Sequence, residues 1–413
     1  MPVDWTASLA RRACALRPSA IREVSRYAQE PGYISFASGS PNPVLFPHDA
    51  VQQAMAQVMS DAALREQTLQ YGASEGYLPL RQLIAERLGR QADNILITNG
   101  SQQGLEFLGT LLVEPGDRII VTEPTYLGAL QAFNLSEPNY VGVHVGADGL
   151  DMGALDRAFA GGAKFMYVMP DFGNPSGMTL PEAQRRCILS LSRQYGIPVV
   201  EDQAYEQLRL SGPVLPTLLS LDPESVIYAG TFSKSLAPGL RVGWLAAPAE
   251  VIVKLVSIKQ ASDLHVGVLN QVLVHAVLRI LPEHHADTLR AGYRAQRDTM
   301  LDSLTRHMPP GTRWNRPDGG MFVWLTLPGS LDAREVLRTA MQVEKVLFVP
   351  GAPFFTDGSG TDTVRLSFSL LSSDRIEAGI ERLGCAIRRC LLEAVSGQTA
   401  TLSSSVGLSH RAK

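Results

Sequence analysis

Short apolar segments alternate with longer helical patterns through the middle of this 413-residue chain. The predicted strands occupy 94–98, 118–122, 140–145, 164–169, 197–201 and 225–229. Helical stretches separate these strands, and each helix carries the chain back across one face of a sheet. Because both faces of such a sheet are covered, its strands read as continuous apolar runs. The sequence therefore predicts an α/β fold with a mostly parallel sheet sandwiched by helices.

The rest of the chain predicts a second, smaller unit of mixed helices and strands. Helical patterns span 249–281, 285–306, 332–343 and 374–392, and strand patterns span 319–326, 346–349 and 364–369. We expect the following organisation: an N-terminal helical arm (1–38) that joins the small domain, a large domain (39–284), a small α+β domain (285–395) and a disordered tail (396–413). The tail is expected because that segment is rich in Ser, Thr and Gly.

Composition excludes several classes of protein. The net charge is −3, so nothing indicates a nucleic-acid partner. The four cysteines form no C-x-x-C motif or Cys/His cluster, which favours reduced thiols in the cytoplasm over a disulfide framework or a metal site. We find no apolar signal segment at the N-terminus and no run of 18 apolar residues, so we expect no membrane association.

The stretch from Gly230 to Gly243 reads GTFSKSLAPGLRVG and follows a predicted buried strand. A lysine at the end of such a strand is partly desolvated, which favours a neutral amine that can form a Schiff base with an aldehyde; Lys234 has this position. The Ser233 hydroxyl and the Arg241 guanidinium beside it suit a phosphate group. Pyridoxal 5′-phosphate carries both an aldehyde and a phosphate. The alternative is a solvated basic loop.

Two further segments lie where predicted strands end. Asp202 follows the strand 197–201, and an acid at that position faces the crevice where open α/β sheets bind ligands. Its carboxylate can keep a pyridine nitrogen protonated, which makes the ring a stronger electron sink. The segment 100–104 opens a helix, and helix N-termini bind anions. The alternatives are a solvated Glu-Asp pair and an ordinary serine N-cap.

Three motifs together resemble the fold-type I enzymes that use pyridoxal phosphate. The first is the Lys234 stretch. The second, PDFGNPSG at 170–177, is similar to the P-x-x-x-N-P-[ST]-G loop of that family, although Gly173 stands where relatives often carry a polar residue. The third is Arg365 within VRLSF at 364–368. The chain is therefore identified as similar to the class I/II aminotransferases of the aspartate aminotransferase superfamily.

The N-terminal segments 19–23 and 31–36 are similar to the branch of 2-aminoadipate and kynurenine aminotransferases. The resemblance runs from about Ser19 to Cys390. It implies a large cofactor-binding domain with a seven-stranded type of sheet and a small domain built from both chain ends. It also implies transfer of the amino group of an L-amino acid to a 2-oxo acid, such as 2-oxoglutarate, by ping-pong kinetics.

The resemblance implies a set of cofactor contacts. Lys234 carries the Schiff base and moves the Cα proton, Tyr126 stacks on the ring, and Asp202 meets the pyridine nitrogen. Asn174 and Tyr205 hydrogen-bond to the phenolate oxygen. The residues implied at the phosphate are Ser101, Gln102, Ser233, Arg241 and, from the other subunit of a homodimer with shared active sites, Tyr71. By themselves, Tyr126 could be a core residue and Tyr71 a helix-packing residue.

Substrate contacts follow from the same resemblance. Arg365 clamps the substrate α-carboxylate, with Gly39 and Asn174 beside it. Arg22, together with Ser19 on the N-terminal helix, meets the far carboxylate of a dicarboxylic substrate. The alternatives are an ordinary salt bridge for Arg365, and pairing of Arg22 with a neighbouring glutamate.

Two other functions stay open at this point. The same scaffold supports decarboxylases, lyases and oxidases that use pyridoxal phosphate. Related domains also occur behind a winged-helix DNA-binding domain in regulators, but here the similarity begins almost at residue 1 and the charge is slightly acidic. We assign no metal, because the histidines show no ligand spacing with Cys or acidic residues.

Overall fold

The structure is a computed structural model that describes residues 2–15, 20–146, 149–329 and 331–406; the side chains of 15, 20, 22, 25 and 395–406 are outside that description. The α-helices are α1 Arg11–Ala15, α2 Ala20–Ser25, α3 His48–Ser60, α4 Ala62–Leu69, α5 Leu78–Leu88, α6 Ser101–Leu112, α7 Leu127–Phe133, α8 Met152–Ala160, α9 Glu182–Tyr195, α10 Leu218–Leu221, α11 Ala249–Ser262, α12 Val268–Ile280, α13 His285–His307, α14 Ala333–Thr339 and α15 Ser373–Val406.

The strands form three sheets. They are β1 Ile34–Ser35, β2 Ile95–Thr98, β3 Arg118–Glu123, β4 Asn139–Gly146, β5 Gly149–Leu150, β6 Phe165–Val168, β7 Val199–Asp202, β8 Val226–Thr231, β9 Gly243–Ala246, β10 Arg313–Trp314, β11 Phe322–Thr326, β12 Val346–Leu347, β13 Val349–Pro350 and β14 Thr363–Ser367.

The large sheet has eight strands in the order β2-β9-β8-β7-β6-β3-β4-β5. Its central pairs, from β8 through β4, are all parallel. β9 runs antiparallel to both of its neighbours, and the two-residue β5 is antiparallel to β4. The predicted α/β fold with a mostly parallel sheet is confirmed. β9 was not predicted; it follows β8 after a short connection without a crossover helix, so it returns antiparallel.

Alternate side chains of the large sheet enter two different hydrophobic cores. On β3, Ile119 and Val121 belong to the core that contains α6, α7 and α11, whereas Ile120 belongs to the core that contains α5, α8 and α9. Successive side chains of a strand point to opposite faces, and here both faces are covered by helices. The apolar strand runs of the sequence follow from this double burial.

A smaller domain contains the second sheet, with the order β10-β11-β14-β13 and all pairs antiparallel. Residues of β11 and β14 pack in one core with residues of α13 and α15. The third sheet is the parallel pair of β1 with β12, in which Ile34 pairs with Val346. This pair brings the N-terminal segment beside the smaller domain.

Three predicted elements differ in the structure. The helical region 249–281 is two helices, α11 and α12, separated at Leu264, which has a positive φ of 65°. The predicted strand 346–349 is divided between β12 and β13, which belong to different sheets. α15 extends to Val406, into the tail that we expected to be disordered, since extending a helix needs only one further residue per hydrogen bond and no proline interrupts it. Residues 407–413 of that tail lie outside the described residues.

Among the described residues, no helix has the length and apolarity of a membrane span.

Candidate active site

A cavity of about 310 Å³ lies where β3, β6, β7 and β8 end. Because the carboxyl ends of parallel strands meet at one edge, the loops that follow them converge. The cavity is lined by Ile21, Ser38, Gly39, Ser40, Ser101, Gln102, Tyr126, Met169, Asn174, Asp202, Ala204, Tyr205, Thr231, Ser233, Lys234, Pro238, Arg241 and Arg365. The structure thus brings most of the predicted site residues into one space.

Lys234 lies deep in this cavity. Its Nζ donates a hydrogen bond to the Gly39 carbonyl oxygen at 3.1 Å and lies 5.7 Å from the centre of the Tyr205 ring. Burial, followed by the positive charges of Arg365 and Arg241, lowers the Lys234 pKa to about 8. The amine is still mainly an ammonium near physiological pH, but a far larger fraction of it is neutral and nucleophilic than for an ordinary lysine.

One end of the cavity is a cluster of hydrogen-bond donors. The guanidinium of Arg241 donates to the Asn99 carbonyl at 3.2 Å and approaches the Ser233 hydroxyl at 3.5 Å. Helix α6 begins beside them at Ser101. Gly100 has a φ of 74°, and a Cβ there would collide with Arg241 Nη2, so the glycine lets the guanidinium lie against the backbone. Helix N–H groups, a hydroxyl and a guanidinium together suit a phosphate.

Asp202 is almost fully buried at the end of β7. Its Oδ2 accepts a hydrogen bond from the Tyr167 hydroxyl at 2.8 Å, and its Oδ1 accepts one from the Ala204 N–H at 3.2 Å. Burial raises the Asp202 pKa to about 6, although these hydrogen bonds and the charge of Lys234 act in the opposite direction. The carboxylate is therefore mainly ionised at neutral pH.

Two tyrosines face Lys234 across the cavity in neutral form. Burial raises the Tyr126 pKa to about 12 and also raises the pKa of Tyr205. The Tyr126 hydroxyl donates to Gln102 Oε1 at 3.4 Å, and Gln102 Nε2 donates to the Gly128 carbonyl at 2.6 Å. The Asn174 amide acts in the opposite direction and lowers the Tyr205 pKa. The Tyr126 ring is thus held by the amide side chain of Gln102.

Arg365 lies at the other end of the cavity and is 1% exposed. Its guanidinium carbon lies 4.5 Å from the centre of the Phe322 ring and 5.3 Å from that of Phe354. Nη1 donates to Asn174 Oδ1 at 2.9 Å, Nη2 donates to the Ala37 carbonyl, and Nε has no partner among the described residues. Burial lowers its pKa to about 10, so Arg365 remains a cation. These partners are neutral, which leaves its charge available to an anionic ligand.

The family model for aminotransferase class I and II matches residues 33–383. The chain belongs to this family. It is 40% identical over 395 residues to the 2-aminoadipate transaminase of Thermus thermophilus, and this match covers 94% of this chain and 99% of that protein. It is also 36% identical over 400 residues to aromatic-amino-acid aminotransferase 1 of Thermococcus litoralis, covering 94% of this chain and 95% of that protein.

The fold agrees with a solved member of the family. The α-aminoadipate aminotransferase of Thermus thermophilus, complexed with N-(5′-phosphopyridoxyl)-L-leucine, matches with a TM-score of 0.89 and 39% identity over 94% of this chain and 100% of that chain. The identification as a class I/II aminotransferase from three sequence motifs is confirmed, and with it the enzyme class and pyridoxal phosphate as the cofactor.

The described side chains fit that cofactor. The donor cluster around Arg241 suits its phosphate, the Lys234 amine suits its aldehyde, and the buried carboxylate of Asp202 suits its pyridine nitrogen. Arg365 stays free of any acidic partner among the described residues, as a binding site for a substrate carboxylate requires. The aminotransferase therefore has separate places for the cofactor and for an acid.

Three predicted residues of the aminotransferase are not placed in this cavity. Tyr71 is 79% exposed, and its ring packs edge-on against His265 at 5.8 Å. Ser19 lies outside the described residues, as does the side chain of Arg22. Ile21, between them in the chain, lines the cavity, so α2 lies close to it.

Sequence reasoning missed several residues of the site. Tyr167 on β6 holds the carboxylate of Asp202, but in the sequence it is only one aromatic residue of an apolar strand. Thr231, the last residue of β8, donates to the Ser233 hydroxyl at 2.9 Å. Its place within the stretch 230–243, two residues before Ser233, was the available signal. Phe322 and Phe354 enclose Arg365 and carry no sequence signal of their own.

Proposed function

We propose that this aminotransferase takes the amino group of a 2-aminoadipate-like, branched or aromatic L-amino acid and passes it to 2-oxoglutarate in a ping-pong cycle. The observation that carries the proposal is a lysine amine with a lowered pKa, Lys234, situated between the donor cluster at Arg241 and the buried cation Arg365. The range of donors is supported by relatives that are named for 2-aminoadipate and for aromatic amino acids, and by the solved relative that is complexed with a phosphopyridoxyl derivative of L-leucine.

Each residue near the reacting carbon has a proposed task. Pyridoxal phosphate, when bound, supplies an electron sink for the charge that develops at the substrate Cα. Lys234 Nζ takes the Cα proton as a general base and gives it back as a general acid, for which a pKa near the working pH is favourable. Asp202 holds a proton on the pyridine nitrogen, and Asn174 and Tyr205 hydrogen-bond to the phenolate oxygen.

The remaining contacts divide between cofactor and substrate. We assign the phosphate to Ser101, Gln102, Ser233 and Arg241, and the ring stack to Tyr126. Arg365, with Asn174 and Gly39 beside it, binds the substrate α-carboxylate through a bidentate pair. Arg22, with Ser19, meets a far carboxylate; the position of Ile21 at the cavity supports a place for α2 next to the substrate.

We also propose a homodimer in which Tyr71 reaches the phosphate bound in the other subunit. An aromatic side chain that is 79% exposed in one chain is a candidate for burial against a second copy. A fully active monomer in light scattering would contradict this assembly. A cytoplasmic location and a biosynthetic role are proposed too, the location because all four cysteines are free thiols.

The experiment that tests the proposed function is an amino-donor screen of the cofactor-loaded protein with 2-oxoglutarate, read by product mass. We expect glutamate together with the 2-oxo acid of the donor. Arg22→Ala, screened beside the wild type, should lose activity selectively on dicarboxylic donors; equal losses on all donors would show that Arg22 does not read the side chain. Carbon dioxide or ammonia as the main product, without glutamate, would indicate another reaction of pyridoxal phosphate.

A further inference from the structure

The two larger sheets are joined beside the active site by a contact between the end of β3 and the β13–β14 connection. Glu123, the last residue of β3, is 8% exposed. Its Oε1 accepts hydrogen bonds from the Thr356 N–H at 2.7 Å and from the Thr356 hydroxyl. Two residues after Glu123, the Thr125 N–H donates to the Phe354 carbonyl at 2.8 Å. The contact therefore links the large domain to the loop that precedes Arg365.

The large sheet leaves room for this carboxylate. Gly142 lies on the neighbouring strand β4, and a Cβ there would collide with the Glu123 carboxyl group. A carboxylate at this depth requires hydrogen-bond partners, because burying it without them costs free energy. Thr356 supplies a backbone and a side-chain donor together. Gly142 thus provides the space for the Glu123 carboxylate, and Thr356 provides its hydrogen bonds.

The far side of the contact reaches the substrate-binding cation. Phe354 is fully buried, its ring centre lies 5.3 Å from the Arg365 guanidinium carbon, and it packs edge-on against Trp324 at 5.9 Å. Because Thr125 holds the Phe354 carbonyl and Glu123 holds the loop two residues later, the ring has little freedom to leave Arg365. On the other side, Tyr126 follows Thr125 directly and lines the cavity.

We propose that Glu123 and Thr356 form a latch that positions Arg365, through Phe354, for the α-carboxylate of the substrate. This inference rests on the proposed function, which makes that carboxylate the ligand of Arg365. Glu123 and Thr356 touch no substrate in this scheme and are positioning residues. Since amino acids and 2-oxo acids both carry the α-carboxylate, the latch acts equally on both half-reactions.

A matched pair of variants tests the latch. Thr356→Val keeps the shape of the side chain and removes its hydroxyl, whereas Thr356→Ser keeps the hydroxyl. We expect Thr356→Val to raise KM for the amino donor and for 2-oxoglutarate by the same factor, about five- to tenfold. This is less than the usual effect of losing a hydrogen bond to a charged acceptor, because the Thr356 N–H still donates to Glu123 in the variant. Its kcat should stay within about twofold, and Thr356→Ser should resemble the wild type. Gly142→Ala, which displaces Glu123, should act like Thr356→Val.

A binding measurement separates the latch from turnover. The probe is 4-methylpentanoate, which is leucine without its amino group, titrated by calorimetry into the cofactor-loaded protein. We expect about five- to tenfold weaker binding in Thr356→Val, unchanged binding in Thr356→Ser, and the same dissociation constant for pyridoxal phosphate in both variants.

Several outcomes would overturn the latch. They are unchanged KM and probe binding in Thr356→Val, an equal loss in Thr356→Ser, or a lower kcat at constant KM. Failure of the wild type to bind the probe would do the same, because Arg365 would then not be a carboxylate site. A wild type that binds the probe but transfers no amino group would instead refute the proposed function and leave the latch standing.

Discussion

The two ends of the active-site cavity are built in different ways. At the end that we propose for the phosphate, Arg241 approaches Ser233, which is eight residues away in the chain, and the Asn99 carbonyl at the start of α6. At the end that we propose for the substrate carboxylate, Arg365 hydrogen-bonds to Asn174 and Ala37, which are 191 and 328 residues away. The first, the phosphate end, is thus made by loops of one sheet, whereas the second, the carboxylate end, requires both domains. Changes at the first should alter cofactor affinity, and changes at the second should alter substrate affinity.

The largest effect is expected at the residue between the two ends. Lys234→Ala removes both the cofactor attachment and the proton carrier, so turnover should fall by about three or more orders of magnitude. Borohydride reduction of the loaded wild type should fix the cofactor on Lys234, read by peptide mass. Lys254→Ala, at an exposed lysine, is the control and should keep full activity. An adduct on Lys254 or Lys164 would contradict the assignment.

The second prediction isolates the carboxylate end. Arg365→Lys keeps the charge but loses the planar fork that pairs with a carboxylate. We expect kcat/KM to fall about a hundredfold for every amino acid and 2-oxo acid, with an unchanged dissociation constant for pyridoxal phosphate, measured by absorbance titration of the apoprotein. Weakened cofactor binding in this variant would mean that the two ends are not independent.

The third prediction concerns the pKa of Lys234, which burial and the positive charges of Arg365 and Arg241 lower. Its pKa is lowered from the ordinary 10.5 to about 8, so the folded apoprotein holds the ammonium at a cost in stability below pH 8. Lys234→Met should therefore raise the free energy of unfolding of the apoprotein by about 2–3 kcal/mol at pH 7.

This gain should shrink as the pH rises through 8 and disappear towards 10.5, where the amine is neutral in both the folded and the unfolded chain. Urea unfolding at pH 7 and pH 10 measures the difference, with Lys254→Met as a control that should show none. An equal gain at both pH values would rule out charge as its cause.

The smallest effect is expected at the phosphate end, where several groups share the ligand. Arg241→Lys retains one positive charge and loses the second hydrogen bond of the fork, so the dissociation constant for pyridoxal phosphate should rise about tenfold. KM for the amino donor, measured at saturating cofactor, should remain near that of the wild type. A larger change in KM than in cofactor affinity would contradict the assignment of the phosphate to the end that contains Arg241.

The difference between local contacts at Arg241 and non-local contacts at Arg365 also explains which parts could be predicted from the sequence. The alternation of strands and helices predicts the large sheet because its central strands, β3 and β6 to β8, are buried on both faces. The stretch 230–243 contains Ser233, Lys234 and Arg241 together. β9 was not predicted, and its antiparallel direction could not follow from composition, because direction depends on the connection to β8.

The environment of Arg365 could not be predicted. Its aromatic neighbours Phe322 and Phe354 and its backbone partner Ala37 come from separate segments that meet only through tertiary packing. Tyr167 was missed for a similar reason, since its partner Asp202 lies on the neighbouring strand and not nearby in the chain. Local motifs therefore predicted the reactive residues, whereas the neighbours that position them are set by contacts between distant parts of the chain.

The active site depends on contacts between residues that are far apart in the chain. The Ala37 carbonyl accepts a hydrogen bond from Arg365, the Gly39 carbonyl accepts one from Lys234, and β1, just before them, pairs with β12. Contacts between distant residues form late, because the loop they close must first lose its freedom. During synthesis, the phosphate-binding end has all its segments once β9 has left the ribosome. The amino-acid end waits for β14, so a nascent chain should acquire the capacity to capture cofactor before it can recognise a substrate.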